Sequence, residues 1–242
     1  MYGWRAKIGV ICPKDNVIVE PELYNLAPDG VSVHSTRLPT VALEEMPAHA
    51  EKQATYIAEM GADVVVYACN ASSFHNGVAG NDALADALTE ASSLPVTTAS
   101  GAIVAAVEAL ECERVDLVTP YGEADNTRLT AFLADHGIAV GQVSSLGLAA
   151  DEMGDLAAVN EETAVDTYDR VLETAAAGDG EATLIVSTNL SSVKTLGAME
   201  ADTGKPVVSV NQAMFWHSLT QLGISPRIQG YGCLLNQPPA TD

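Results

Sequence analysis

At 242 residues with 48% hydrophobic content, the chain is long enough to bury one large core or two smaller ones without help from disulfides or metals. Its 32 acidic against 11 basic residues give a formal net charge of -21, which repels phosphate and, with no basic stripe in view, excludes nucleic acid as a partner. No run approaches the roughly 18 apolar residues of a membrane span, and the apolar run stopped by Cys12-Pro13 is too short for a secretion signal, so a cytoplasmic protein with no membrane partner is expected.

The first segment, residues 7–12, reads as a strand that ends in the loop Pro13-Lys14-Asp15-Asn16. Helical pattern follows near Pro21, a second strand over 31–38, and a helix over 43–60 that Gly61 stops. Residues 63–69 form a short, β-branched apolar run that reads as a buried parallel strand ending at Cys69, with a polar loop reaching to Gly80. A helix over 82–91, a strand over 95–98 and a helix over 101–110 complete the half. This alternation predicts an α/β protein with parallel sheet, because parallel neighbours need crossover helices.

The second half replays the first. Residues 115–119 before Pro120 echo 8–12 before Pro13, residues 184–189 before Leu190-Ser191-Ser192 echo the Cys69 strand, and 206–210 echo 95–99. The prediction is two pseudosymmetric lobes, each a mainly parallel sheet flanked by helices, with the active site in the cleft between them. The boundaries expected are 1–110 with 210–242 for the N-terminal lobe and 111–209 for the C-terminal lobe.

Carboxylates are spread through 44–59 and 151–169 rather than gathered in a tail, the pattern of a folded protein kept soluble at high salt, so a halophile's protein is expected. The four cysteines (Cys12, Cys69, Cys112, Cys233) show no CxxC spacing and no clustering with the five scattered histidines, so neither a metal site nor a disulfide framework is expected. No GxGxxG, Walker A or G-x-S-x-G sequence is present. What remains sits at strand ends: Pro13 to Asn16, Cys69 to Ser73, Pro120-Tyr121, and Ser187-Thr188-Asn189. A thiol among backbone N–H groups, hydroxyls and amides can act as nucleophile or proton carrier toward a carboxylate held without any lysine.

These residues resemble the aspartate/glutamate racemase superfamily, and within it the maleate cis-trans isomerase and arylmalonate decarboxylase group. The resemblance runs nearly end to end: Pro13-Lys14-Asp15-Asn16 with Glu20, His34-Ser35-Thr36-Arg37, Ala68-Cys69-Asn70, Val118-Thr119-Pro120-Tyr121 with Asn126 and Arg128, Thr188-Asn189-Leu190, and 204–213. It implies a cofactor-free, metal-free enzyme that encloses a small carboxylate substrate between two lobes and assembles as a homo-oligomer. Isomerases and racemases of this kind carry one cysteine from each lobe. Here Cys69 matches the first, and the family pattern puts Ser187 where the second would be; the internal repeat, aligned on Asn70 and Asn189, would put Thr188 there.

The resemblance therefore implies Cys69 and Ser187 as the catalytic pair, with Pro13, Asn16, Asn70, Ala71, Tyr121 and Thr188 binding substrate. Maleate-type isomerisation through a Cys69 thiolate is the leading expectation, with malonate decarboxylation, racemisation and a non-catalytic carboxylate-binding protein as alternatives. Family decarboxylases keep the second lobe's cysteine, so the opposite face of the substrate would be protonated here. Near Asp151-Glu152-Met153-Gly154 the isomerases tend to show Asp-Asn, and Met153 in that place implies a less polar substrate than maleate. The Cys69 thiol is expected to alkylate faster than those of Cys12, Cys112 and Cys233.

Overall fold

The computed structural model describes residues 2–39, 41–148, 159, 162–225 and 227–236; the Met153 segment lies outside them. Strands β1 (Ala6–Pro13), β2 (Val31–Leu38), β3 (Val64–Tyr67) and β4 (Val96–Thr98) form a parallel sheet in the order β2-β1-β3-β4. Strands β5 (Arg114–Tyr121), β6 (Ala139–Leu148), β7 (Ala182–Ile185) and β8 (Val207–Ser209) repeat it as β6-β5-β7-β8, again all parallel. The α/β expectation and the duplication both hold.

Parallel order forces crossovers. Helices α1 (Val19–Leu26), α2 (Met46–Glu59), α3 (Asn70–Phe74) and α4 (Gly77–Ser92) connect the first sheet, and α5 (Ala99–Ala109) follows it. Helices α6 (Glu123–Asp135), α7 (Ala164–Ala177) and α8 (Leu196–Thr203) serve the second sheet, and α9 (Val210–Gln221) follows that. With helices on both faces, β3 and β7 are buried at every position, which is why their sequences are unbroken apolar or small runs. Gly9 permits α2 to lie directly on β1, since a Cβ there would stand 2.1 Å from Ile57.

The halves share devices as well as order. Thr98 and Ser209 each cap the following helix, accepting from Gly101 N–H and Gln212 N–H. Asp63 accepts from Lys7 N–H as Glu181 does from Glu113 and Arg114 N–H, so one carboxylate tethers the start of the central strand in each sheet. One hydrophobic cluster runs through both lobes from Ala6 to Leu235, and a second packs β1 and β3 against α2 and α4.

Helix α9 is buried nearly all round, with Met214, Phe215 and Trp216 at 1% exposure or less, because it packs on α5. Its far end bonds to β4 through Gln221 Nε2 to Val96 O at 3.0 Å, whereas Cys233 N–H donates to Glu200 of α8. Residues 210–236 thus stitch the halves together, and the boundary expected at 210 stands as a proposal about folding units.

Three local expectations change. The 63–69 strand stops at Tyr67, and the expected polar loop is α3 and the start of α4. Ser72 and Ser73 turn their hydroxyls back onto the carbonyls of Cys69 (3.4 Å) and Asn70 (2.8 Å), so these small polar residues satisfy backbone acceptors inside a short helix. Similarly, the 184–189 strand is Ala182–Ile185, and Pro120-Tyr121 belongs to β5 rather than to a loop beyond it.

Candidate active site

The ladder registers decide which second-half residue is the counterpart of Cys69. Ile8 pairs with Val64 and Val115 with Ala182; further along, Ala68 N–H donates to Ile11 O at 2.8 Å and Val186 N–H to Val118 O at 2.9 Å. One residue on from these equivalent bonds stand Cys69 and Ser187. The Thr188 alternative, which came from aligning the two asparagines, is off by one in the ladder.

Cys69 is the N-cap residue of α3 in extended conformation and is 6% exposed. Its Sγ lies 3.8 Å from Met46 Sδ at the start of α2. Burial pushes the thiol above its ordinary pKa, and the Ser72 hydroxyl and N–H draw it only part of the way back. Burial thus favours the thiol over the thiolate. Tyr67 holds Ser72 in place with a 2.6 Å hydroxyl contact.

The phenol of Tyr121 links the lobes. Asn70 Nδ2 donates to its oxygen at 3.2 Å, and the Phe74 ring meets it edge-on at 5.5 Å. Burial drives the phenol pKa far up; the Asn70 amide opposes this, the field of Cys69 reinforces it, and the Ser187 hydroxyl opposes it again. The phenol thus lies within electrostatic reach of both strand-end residues and stays protonated. Asn126 Nδ2 and the Ser145 hydroxyl hold Tyr121 from behind through its carbonyl.

On the other side, Asn16 Nδ2 donates to Thr188 Oγ1 at 2.9 Å while its Oδ1 accepts from Ile18 and Val19 N–H. Asn16 closes a turn and reaches across the cleft at once. Pro13 ends β1, and Arg37, paired with Glu20, donates to the carbonyls of Pro13 (3.3 Å) and Asn16 (2.6 Å). Ala71 lies buried in α3 beside Asn70, whose Oδ1 accepts from Ser100 at 3.2 Å. Ser187 Oγ accepts from Asn189 N–H at 3.1 Å.

All eight residues singled out from the sequence are placed at the carboxyl ends of the central strands or in the turns that follow. Asn16 with Thr188, and Asn70 with Tyr121, are joined directly across the lobes; Pro13 ends β1 and Ala71 follows Asn70 in α3. Sequence reading included Ser72 only within the Cys69 to Ser73 stretch, and it missed Met46 and Ser100, which look like ordinary helix and core. His75 follows the thiol helix but faces Glu44 at 3.9 Å instead of Cys69. Among the described residues no three His, Cys, Asp or Glu side chains gather as a metal site.

Twin parallel sheets that bring a thiol and a hydroxyl to equivalent strand ends, with neutral amide and phenol donors between them, define a two-lobed α/β protein of the racemase type. The arylmalonate decarboxylase family model matches residues 8–235, and the arylmalonate decarboxylase of Bordetella bronchiseptica is 34% identical over 239 residues, covering 95% of this chain and 96% of its own. The chain belongs to the arylmalonate decarboxylase family.

Among solved structures, a Cys→Ala variant of the maleate isomerase Iso from Pseudomonas putida S16 with maleate superposes with a TM-score of 0.86 at 25% identity, over 96% of this chain and 98% of that one. A Cys→Ser variant of the Nocardia farcinica maleate cis-trans isomerase with a covalently bound succinylcysteine intermediate gives 0.83 at 26%, covering 95% and 98%. An arylmalonate decarboxylase variant carrying Gly→Cys and Cys→Ser exchanges, in liganded form, gives 0.81 at 28%, covering 95% and 98%. The chain is thus similar to enzymes of two activities, and its fold is theirs. No helix among the described residues is long and apolar enough to cross a membrane.

Proposed function

We propose that the protein is a cofactor-independent decarboxylase of a malonate-type acid, with Cys69 as the proton donor. The observation that carries this reading is the asymmetry of the two equivalent strand ends, a buried thiol at Cys69 and a hydroxyl at Ser187. A buried, protonated Cys69 is suited to deliver a proton and ill-suited to add to an alkene, which needs the thiolate. The equivalent strand end offers the Ser187 hydroxyl, a far weaker acid, so protonation comes from one side.

In this reaction the bond between the α-carbon and one carboxyl breaks and CO2 leaves. The electron pair passes into the remaining carboxylate as an enediolate. Donors fixed before substrate arrives, namely Asn70, Tyr121, Thr188, Asn16 and the N–H groups after Cys69 and Ser187, take the charge on its oxygens. Cys69 Sγ–H then protonates the α-carbon, and the resulting thiolate regains its proton from water. Met46 beside the sulfur gives that face an apolar wall, which suits a malonate with an apolar substituent. The decarboxylase variant with a new cysteine and a serine in place of its own has the same two residue types that Cys69 and Ser187 supply here without exchange.

The isomerase reading, in which a Cys69 thiolate adds to a cis-enedioic acid, is favoured by one observation. The Nocardia enzyme forms its succinylcysteine adduct in a Cys→Ser variant, so one cysteine and one serine suffice for the addition. Proton NMR in deuterated buffer separates the two. With phenylmalonate, loss of one carboxyl and a single deuterium on the α-carbon is expected; fumarate formed from maleate without such decarboxylation would overturn the proposal in favour of the isomerase.

A further inference from the structure

The two strand ends are held by different means. After Cys69 the chain coils at once into α3, and Ser73 N–H returns to Cys69 O at 3.2 Å. After Ser187 the chain makes a single turn, Leu190 N–H to Ser187 O at 3.4 Å, and no helix begins before Val193. The N–H groups of Ser192 and Val193 donate instead to Glu22 Oε1, at 2.6 and 2.9 Å, from α1 of the other lobe. Glu22 Oε2 accepts from Asn211 Nδ2 at 2.6 Å, and the same amide donates to Thr188 O at 3.2 Å.

Glu22 is 6% exposed. It is not one of the residues that face the cleft, and the decarboxylation steps make no use of it. Carboxylates that fasten backbone N–H groups in the second lobe, buried Asp116 and half-buried Glu200, show how unusual its placement is. Asp116 fastens Gln142 and Gly180 N–H, and Glu200 fastens Val207 and Cys233 N–H, each within its own half or the C-terminal segment. Glu22 reaches across, and what it fastens is the loop that carries Ser187 and Thr188.

We infer that Glu22 is a positioning residue for the reaction: a carboxylate from the first lobe that stands in for the helix the second lobe lacks directly after its strand end, and sets where Thr188 and Ser187 meet the substrate. The α1 helix then grips Thr188 twice, by its hydroxyl through Asn16 and by its carbonyl through Asn211. A glutamine at 22 has one acceptor oxygen in place of two, so either the pair of N–H groups or the Asn211 amide is left facing a donor. The loop shifts, and a displacement of the order of 1 Å at a substrate contact costs up to about 10²-fold in turnover.

The kinetic arm of the test rests on the proposed decarboxylation; the second arm does not. With phenylmalonate as substrate, Glu22→Gln is expected to lower kcat/KM about tenfold or more, mostly through kcat, with Glu22→Asp in between. Glu200→Gln, which frees a loop remote from the cleft, is expected to lower the melting temperature comparably yet keep kcat/KM within about twofold. Amide hydrogen exchange reads the same inference without turnover: in Glu22→Gln, residues 188–193 exchange at least tenfold faster while α3 keeps its wild-type rates.

Wild-type kcat/KM and wild-type exchange in Glu22→Gln would overturn the inference, as would equal kinetic losses in Glu22→Gln and Glu200→Gln. If Glu22→Gln does not fold, Glu22→Asp is judged by the same criteria. A wild-type protein inert toward phenylmalonate with the exchange effect intact would sink the proposed reaction and leave Glu22 as the anchor of this loop.

Discussion

Asn16 and Thr188 stand 172 positions apart in the chain, and a 2.9 Å hydrogen bond between their side chains spans the cleft. Because the same Asn16 also caps α1 through its Oδ1, its two functions can be separated by substitution. Asn16→Ala loses both, and a stability loss of about 1–3 kcal/mol is expected in urea unfolding. Asn16→Asp keeps the cap and can still accept from the Thr188 hydroxyl, so its stability stays near wild type. It sets a negative charge against an incoming carboxylate, and KM is expected to rise at least tenfold with little change in the urea midpoint.

The thiol itself gives the sharpest kinetic expectation. Cys69→Ala removes the group proposed to protonate the enediolate, and kcat is expected to fall by about 10²–10⁴. Alkylation by iodoacetamide tests the protonation state directly. Sequence reading makes Cys69 the fastest thiol, but its burial reverses this: half-buried Cys112 should react first, and Cys12, pushed up to about 11, and Cys233, pushed up to about 12, should lag. The Cys69 rate should climb with pH past the ordinary thiol range, with no plateau near neutrality.

Tyr121→Phe keeps the ring contact with Phe74 and deletes the oxygen that Asn70 donates to. A buried donor left unpaired costs about 1–3 kcal/mol, which a melting experiment would register. If the phenol also holds the enediolate, kcat falls by about 10²–10³ in addition. A variant that melts lower but turns over phenylmalonate at the wild-type rate would remove Tyr121 from the substrate-binding set.

Much of this architecture could be read from residue order, and the failures have physical causes. The buried strands announce themselves as Val64-Val65-Val66 and Thr183-Leu184-Ile185 because both faces are covered. Edge strand β6 does not, since it alternates exposed and half-buried positions at the sheet margin. The choice between Ser187 and Thr188 stayed open in the repeat because aligned asparagines count residues, whereas the sheet counts ladder bonds. Glu22 was invisible for another reason. An acidic residue in the first turn of a helix reads as a partner for the helix dipole, and its actual donors come from 170 residues or more away.

His217 supplies a pH dependence of stability. Burial lowers its pKa below the ordinary 6.5, and it sits 3.3 Å from Thr97 between α9 and β4. A group with a depressed folded pKa contributes stability that is fully present above its unfolded value and is lost as pH falls through the folded one. Unfolding free energy should thus decline below about pH 6.5, with a slope of up to about 1.4 kcal/mol per pH unit from this proton. Measured against a His217→Gln variant, which cancels the carboxylates common to both, the difference between the two curves should flatten above pH 7.

The most direct trial of the two-lobed reading is to restore the second thiol. Ser187 occupies the strand end equivalent to Cys69, and its hydroxyl lies close enough to the Tyr121 phenol to influence its titration. With Ser187→Cys, an enediolate between the lobes would meet a proton donor on each face, so a prochiral substituted malonate that gives one enantiomer with the wild type should give a mixture. With position 187 as a thiolate and Cys69 as the thiol, the pair would also permit removal of the α-proton on one side and its return from the other. Incubating the single-enantiomer product with Ser187→Cys in deuterated buffer should racemise it with deuterium uptake, at a rate the wild type does not approach. Retention of one enantiomer without exchange, in a variant that still decarboxylates, would mean that position 187 does not face the substrate across from the thiol. The pairing of Cys69 with Ser187 would then describe the fold but not the chemistry.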